Sequence, residues 1–415
     1  MLKQNTNPSQ LSGQNNKIVL AYSGGLDTSF CIKYLTQEKG LEVHAFTVNT
    51  GGFSIAEISK IEKQAYSLGA KSFQAINIEQ EYYEKCIRFL VFGNILKNGT
   101  YPLSVSSERV FQALKVLEYA KMIGATAIAH GSTGAGNDQV RFDLIFNILG
   151  EEMEVITPIR DLQLSRQDEI DFLLKNGVDY SWEKAKYSIN QGLWGTSVGG
   201  TETLTSHLPL PEEAFPSQLQ KQGTQTLALH FSKGEIIGID DQQFDTSVDV
   251  IKTLNNIASQ FAIGRDTHVG DTIIGIKGRV GFEAAAALII IKAHQLLEKH
   301  TLGKWQMYWK EQLGNWYGML LHEGQYLDPV MRNIETFLED TQTTVTGTVQ
   351  VKLSPYQFQL LGIESPFDLM NSTFGDYGEM NKAWTGEDVK GFTKVMATSS
   401  KIYHATQNNN LVVSS

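Results

Sequence analysis

Two strings in this sequence carry chemistry. Ser23–Ser29 reads SGGLDTS after the apolar run Lys17–Tyr22, and His130–Phe142 reads HGSTGAGNDQVRF at the end of a second apolar run, Ala125–His130. At a strand end, two glycines let the backbone turn tightly, so that successive amides converge on one point and the following helix adds its positive end. Such a loop cradles an anion. Ser23, Thr28 and Ser29 add hydroxyl donors, yet no lysine follows the glycines, so this is not the GxxxxGK[ST] phosphate loop. The plainer alternative is a glycine turn in which Asp27 and Ser29 satisfy helix amides. In the second string Thr133, Asn137 and Asp138 offer a hydroxyl, an amide and a carboxylate, and Arg141 can pair bidentately with a carboxylate. Together they suit the charged ends of an amino acid, the alternative being a strand-to-helix turn capped by Asn137 or Asp138.

The elements that must position these loops read as alternating strands and helices. Lys17–Tyr22, Glu42–Val48, Phe73–Ile78 and Ala125–His130 each fit a strand buried on both faces. Between them the spacing predicts helices over Asp27–Glu38, Ile55–Leu68 and Glu108–Met122. Ser54 and Glu57 form a capping box for the second, Gly69 stops it, and Gly124 stops the third. A strand at Val155–Thr157 and a helix opening at Ser165, with Asp168 three residues on, complete this half near Asp179. The rhythm predicts an α/β fold with a doubly wound parallel sheet, which places both loops at its carboxyl edge facing one crevice. From about Tyr180 the texture changes. Leu227–Phe231 and Glu235–Ile239 flank SKG as a hairpin, helical patterns cover Val248–Ala262, Phe282–Lys299, Lys304–Leu321 and Pro329–Leu338, and strands cover Thr343–Leu353. The organisation read from this is a disordered tail at 1–16, a nucleotide-binding domain at 17–179, an α+β synthetase domain at 180–385 and a helical C-terminal arm at 386–415, suited to gripping a neighbouring subunit.

SGGLDTS resembles the pyrophosphate-binding loop of the ATP pyrophosphatases, which cleave ATP between its α- and β-phosphates. HGSTGAGNDQVRF is similar to the signature of the argininosuccinate synthase family, and AYSGGLDTS is close to that family's form of the first loop. The resemblance is strongest over residues 17–200. It implies a carbon–nitrogen ligase of arginine biosynthesis and the urea cycle that joins citrulline to aspartate through citrullyl-AMP, releasing AMP and pyrophosphate. On this resemblance ATP is held by Ala21, Tyr22, Ser23, Gly24, Gly25, Leu26, Asp27, Thr28 and Ser29, with Val48 and Gly131. Aspartate is held by Thr133, Asn137 and Asp138, and citrulline by Tyr101, Ser106, Asn137, Arg141, Ser188 and Ser197. Asp27, Asp138 and Arg109 stand nearest the chemistry. Asp27 either orients a water of a phosphate-bound magnesium ion or caps its helix. Tyr101, Ser106 and Arg109 also have structural readings, as a packed loop aromatic, a helix cap and a partner for a nearby acid. The sequence departs from the family at two positions, where Gly270 and Phe282 stand in place of a glutamate and a tyrosine against citrulline. Asp271 or Glu283 can substitute for the carboxylate, but a phenyl ring cannot donate a phenol's hydrogen bond.

Composition bounds the partners. Of 415 residues 45 are acidic and 35 basic, a formal net charge of −10. That charge opposes nucleic acid and membrane surfaces and favours small-molecule substrates. Two cysteines, Cys31 and Cys86, without metal-ligand spacing fit a reducing compartment. The polar first sixteen residues lack the apolar stretch of a secretory signal, which predicts a cytoplasmic enzyme. The longest apolar run, Ala284–Ile291, is too short to span a membrane and reads as a buried helix. The long helices and polar tail predict a homotetramer. Two rival readings are a tRNA-thiolating relative and a nucleotide-binding sensor without turnover. The first wants a reactive cysteine and a basic face, and the joint presence of Thr133, Asn137, Asp138 and Arg141 argues against the second.

Overall fold

The computed structural model describes residues 16–134, 136–178, 186–371, 375, 377–379 and 383–413, without the side chains of 408–413. The expected N-terminal tail, bar Asn16, and the expected domain boundary at 179–180 lie outside the described residues. Two compact units result, Met1–Pro366 and Phe367–Ser415.

The first half of the larger unit is a five-stranded parallel sheet. Its strands are β1 (Lys17–Ala21), β2 (Glu42–Asn49), β3 (Ser72–Asn77), β4 (Ala127–Ala129) and β5 (Glu154–Ile156), in the order β3-β2-β1-β4-β5. Strand order reverses between β1 and β4, so a crevice opens outside their carboxyl ends, and the two glycine-rich loops leave from those ends. The three central residues of β1 have no exposed surface because helices cover both faces. β3 departs from the expectation of burial on both faces. It is an edge strand and every residue keeps some exposure.

Local signals place the helices. Ser54 and Glu57 cap Ile55–Leu68 reciprocally, and Gly69 ends it at φ +107°, a conformation other residues adopt at a cost. Ser165 and Asp168 do the same for Arg166–Lys175. The helix expected from Glu108 begins earlier and runs Ser104–Ile123. A tertiary contact sets its start, because the Tyr101 hydroxyl accepts the Val105 N–H at 3.2 Å, and Ser106 and Ser107 lie inside the first turns instead of capping.

The second half carries two antiparallel sheets. β6 (Ser188–Gly192) and β7 (Gly195–Gly199) form a hairpin. β8 (Gln225–Ser232), β9 (Glu235–Ile239) and β10 (Gln242–Gln243) follow, then β11 (Arg265–Asp271), β12 (Lys277–Glu283), β13 (Gly347–Ser354) and β14 (Gln357–Glu364). The orders are β10-β9-β8-β13-β14 and β11-β12-β7-β6. The helix expected from Phe282 begins at Ala285, since Phe282 and Glu283 pair with Ser197 and Thr196 of β7 as the last residues of β12. That helix, Ala285–Thr301, carries the long apolar run and is buried as expected. No described helix is long and apolar enough to cross a membrane.

The smaller unit holds the helices Gly386–Met396 and Thr398–Val413. Gly386–Met396 buries none of its residues and leaves Val389, Phe392, Val395 and Met396 exposed.

Candidate active site

The first loop is shaped by its glycines and pinned to the neighbouring strand. Tyr22 donates its N–H to Phe46 and accepts the Thr47 hydroxyl at 2.7 Å, so the loop leaves β1 in one direction. Gly24 then turns at φ +77°, where a Cβ would also lie 2.9 Å from Ile61. Gly25 is the N-cap of the helix Leu26–Gln37 and has no side chain to occupy its amides. Ser23 is exposed, and the Thr28 hydroxyl lies 3.3 Å from its Oγ and from the Gly25 carbonyl, which leaves both hydroxyls at the loop's mouth. Ser29 differs. It has no exposed surface and its Oγ accepts from Gln64 at 3.0 Å, so it fastens the helix to Ile55–Leu68. Leu26 is buried beneath the loop, and Val48 lies at the end of β2 with only 7% exposure.

Asp27 is half-buried in the first turn of its helix. Its carboxyl meets that of Glu169, a buried residue of the helix Arg166–Lys175. Burial raises the Asp27 pKa against the lowering effect of the Glu169 hydrogen bond, while burial and Asp27 push Glu169 to about 8. No group of three His, Cys, Asp or Glu among the described residues could hold a metal ion.

The second loop adjoins the first. A Cβ on Gly131 would come within 3.2 Å of the Asp27 carbonyl carbon and the Thr28 methyl, so the two loops pack closely side by side there. Thr133 is exposed at the loop's crest. Asn137 stands at the N-cap of the helix Asp138–Leu149, but its side chain does not cap. Its Oδ1 instead accepts the N–H of Ile273, at the tip of the β11–β12 hairpin, at 2.9 Å.

Asp138 is the hub of a charged network. Its carboxylate accepts from Arg109 Nε at 2.9 Å and from Arg141 Nη1 at 3.0 Å. Arg141 also donates twice to the His322 carbonyl, at 3.0 and 2.8 Å, and Arg109 reaches Asn190 on β6 at 3.3 Å. Burial opposes ionisation of Asp138, but the two guanidiniums outweigh it and hold the carboxyl below the usual range. Asp138 keeps 40% of its side chain exposed, so it stays open to a substrate while fixing both arginines.

The remaining residues lie around the second antiparallel sheet. Asn190, Ser197 and Phe282 are direct cross-strand neighbours, and Ser188 shares their face two residues along β6. Tyr101 stacks on His268 at 5.2 Å and meets Phe282 at 5.4 Å. Phe282 is fully enclosed, so it packs under Tyr101 instead of touching solvent. Ser106 is buried and turns its hydroxyl toward the Leu103 carbonyl, 3.4 Å away. Both acids considered in place of the missing glutamate have partners within the chain. Glu283 is held by Arg265 at 3.0 Å and Ser217 at 2.5 Å, and the exposed Asp271 is held by Lys277 at 2.6 Å.

Four residues were not singled out by sequence reasoning. Glu108 is 1% exposed, accepts from Thr50 at 2.9 Å and lies 3.9 Å from Arg109. Burial drives its pKa to about 8 against Arg109 and Thr50, and a Cβ on Gly192 would overlap its carboxyl. Lys97, His268 and His322 surround Tyr101 and Arg141. No local string marks them, since each derives its position from contacts distant in the chain.

Comparison with known proteins gives a consistent result across the chain. Residues 17–179 match the family model described as arginosuccinate synthase N-terminal HUP domain, and residues 187–403 match the arginosuccinate synthase C-terminal domain. The chain is similar to the argininosuccinate synthase of Dictyoglomus thermophilum, 33% identical over 96% of this chain and 100% of that one. It is 34% identical to that of Methanocaldococcus jannaschii, over 93% of this chain and 97% of the relative. With that of Xanthomonas campestris pv. campestris the identity is 35%, over 93% and 98%.

Proposed function

The chain belongs to the argininosuccinate synthase family and is a ligase, and from that premise we propose how its residues divide the work. ATP lies along the first loop, and a ureido substrate, citrulline in the family, presents its oxygen to the α-phosphorus. The bond from that phosphorus to the bridging oxygen breaks and pyrophosphate leaves. The amine of aspartate, its proton lost, then attacks the activated carbon, and the bond from carbon to the AMP oxygen breaks, giving argininosuccinate and AMP from citrulline. Adenylation comes first because a neutral urea is a poor electrophile. The loop amides at Gly24 and Gly25 face the charge that develops on the departing pyrophosphate, an effect worth roughly 3–4 kcal/mol per donor in well-studied oxyanion sites. Asp138 and Arg109 orient aspartate with Thr133 and Asn137, and Arg141 serves the ureido substrate.

Magnesium, in this reading, arrives on the phosphates of ATP. Residues 17–179 form the nucleotide-binding part and 180–385 the synthetase part. Four copies assemble through the arm at 386–415, whose first helix leaves an apolar face uncovered. The enzyme works in the cytoplasm, in arginine biosynthesis.

One observation carries the proposal: Gly131 rests against Asp27 and Thr28, so the phosphate loop and the amino-acid loop open side by side. The test is exchange of labelled pyrophosphate into ATP, expected only when a ureido compound is present. Exchange stimulated by tRNA instead hands the case to the thiolating alternative.

A further inference from the structure

Two adjacent glycines leave one peptide of the phosphate loop undetermined by its own sequence. The Gly24–Gly25 peptide can turn over by paired rotation about ψ of Gly24 and φ of Gly25, and neither residue has a Cβ to oppose it. Its orientation decides what the loop presents, since a planar trans peptide points its C=O and its N–H in opposite directions. One orientation offers an anion a donor. The other offers it a carbonyl oxygen, which repels it.

Gln64 settles the matter from a neighbouring helix. It lies in Ile55–Leu68, three residues after Ile61, and the two share the face turned to the loop. Gln64 is 8% exposed, and its Nε2 donates to the Gly24 carbonyl at 3.2 Å and to the Ser29 Oγ at 3.0 Å. A carbonyl can only accept, so the side-chain atom against it is the amide nitrogen, whose two hydrogens serve the two partners. Ile61 meanwhile fills the space that a Cβ on Gly24 would take. With its C=O drawn back to the helix, the peptide turns the Gly25 N–H the other way, toward the exposed Ser23, whose Oγ lies 3.5 Å from that nitrogen. At this length the serine holds the N–H weakly.

We propose that Gln64 is a positioning residue of the phosphate loop, which by holding the Gly24 carbonyl keeps the Gly25 N–H turned to the pyrophosphate group of ATP. Gln64 itself touches no substrate. This rests on the adenylating ligase reading and adds to it a residue outside the SGGLDTS string. A donor fixed in advance needs no reorganisation as charge develops on the leaving group. A mere tether between the two helices would need only the bond to Ser29.

Two variants separate these roles. Gln64→Met is uncharged and loses both bonds. Gln64→Glu keeps the shape, and its carboxylate still accepts from the Ser29 hydroxyl but repels the Gly24 carbonyl. Titration calorimetry of magnesium pyrophosphate into the full-length protein reads the loop without turnover, and pyrophosphate exchange with citrulline reads the KM of each substrate. Both variants are expected to bind pyrophosphate at least tenfold more weakly than wild type, with KM for citrulline within twofold. Repulsion cannot explain weakening in the first, nor loss of the Ser29 bond weakening in the second. A smaller change in either variant overturns the proposal, whatever urea unfolding shows, because a structural tether alone lowers the folded fraction and not the affinity. An equal rise in KM for citrulline, or a wild type that binds no pyrophosphate, also overturns it. A wild type that binds pyrophosphate but exchanges it with no ureido compound overturns the ligase reading, while the titration still decides the part played by Gln64.

Discussion

Glu108→Gln is expected to stabilise the protein, and by an amount that depends on pH. The carboxyl is 1% exposed, with one oxygen accepting from Thr50 and the other lying unpartnered beside Gly192. Burial raises its pKa from 4.5 to about 8. Below 4.5 the group is protonated in folded and unfolded chains alike, and the substitution removes no ionisation penalty. As pH rises from 4.5 toward 8 the unfolded chain ionises while the folded one does not, so stability is lost progressively, and above 8 the loss is constant. At 1.36 kcal/mol per pH unit, the interval sets a ceiling of about 5 kcal/mol. Relaxation and water entry reduce this, and we expect about 2–3 kcal/mol. Urea unfolding at pH 5, 6.5 and 8 reads it as a difference between variant and wild type that grows with pH. The same pairing has a kinetic signature. An ionised Glu108 competes with Asp138 for Arg109, so KM for aspartate should rise above pH 8 in the wild type and not in the variant. A stability difference that is equal at all three pH values refutes the reasoning, because it would mean that Glu108 is already ionised in the folded protein.

Three further outcomes are expected. Asp138→Ala leaves Arg109 and Arg141 without their common carboxylate; at about 1.5–3 kcal/mol per charged hydrogen bond, kcat/KM for aspartate should fall at least 100-fold. Pyrophosphate exchange with the ureido substrate should stay within about threefold, and equal loss of both half-reactions removes the assignment. Gly24→Ala places a Cβ at positive φ against Ile61, which should cost about 1–2 kcal/mol in urea unfolding and raise KM for ATP; an unchanged KM argues against phosphate binding at this turn. Deleting 386–415 should lower the particle mass measured by light scattering, and an unchanged mass refutes the clasping role of the arm.

Legibility followed the range of the interactions. The capping boxes at Ser54/Glu57 and Ser165/Asp168 and the SKG hairpin are set by residues a few positions apart, and the sequence-predicted versions match the structure. Both glycine-rich loops were readable for the same reason. The start of Ser104–Ile123 was not, since a tyrosine hydroxyl from the preceding loop decides it. β6 and β7 escaped notice because SINQG and GTSVG lack apolar alternation; their pairing with each other and with β12 makes them strands. Glu108, His268 and His322 gain their character from burial, which no local spacing records.

The two departures from the family pattern noted in the sequence, Gly270 and Phe282, both lie on the β11–β12 hairpin. In the proposed division of work the phosphate loop, Gly131 and the Arg109–Asp138–Arg141 network serve the atoms that change bonding, where small displacements cost rate. Gly270, His268 and Phe282 lie on the β11–β12 hairpin, where His268 and Phe282 pack on Tyr101, a position that the proposed division of work gives to substrate binding and not to the bonds that form and break. The β11–β12 hairpin carries Gly270 and His268 in its interior, while its tip reaches Asn137 through the backbone N–H of Ile273. Because that link uses main chain, side chains along the hairpin can change without loosening it.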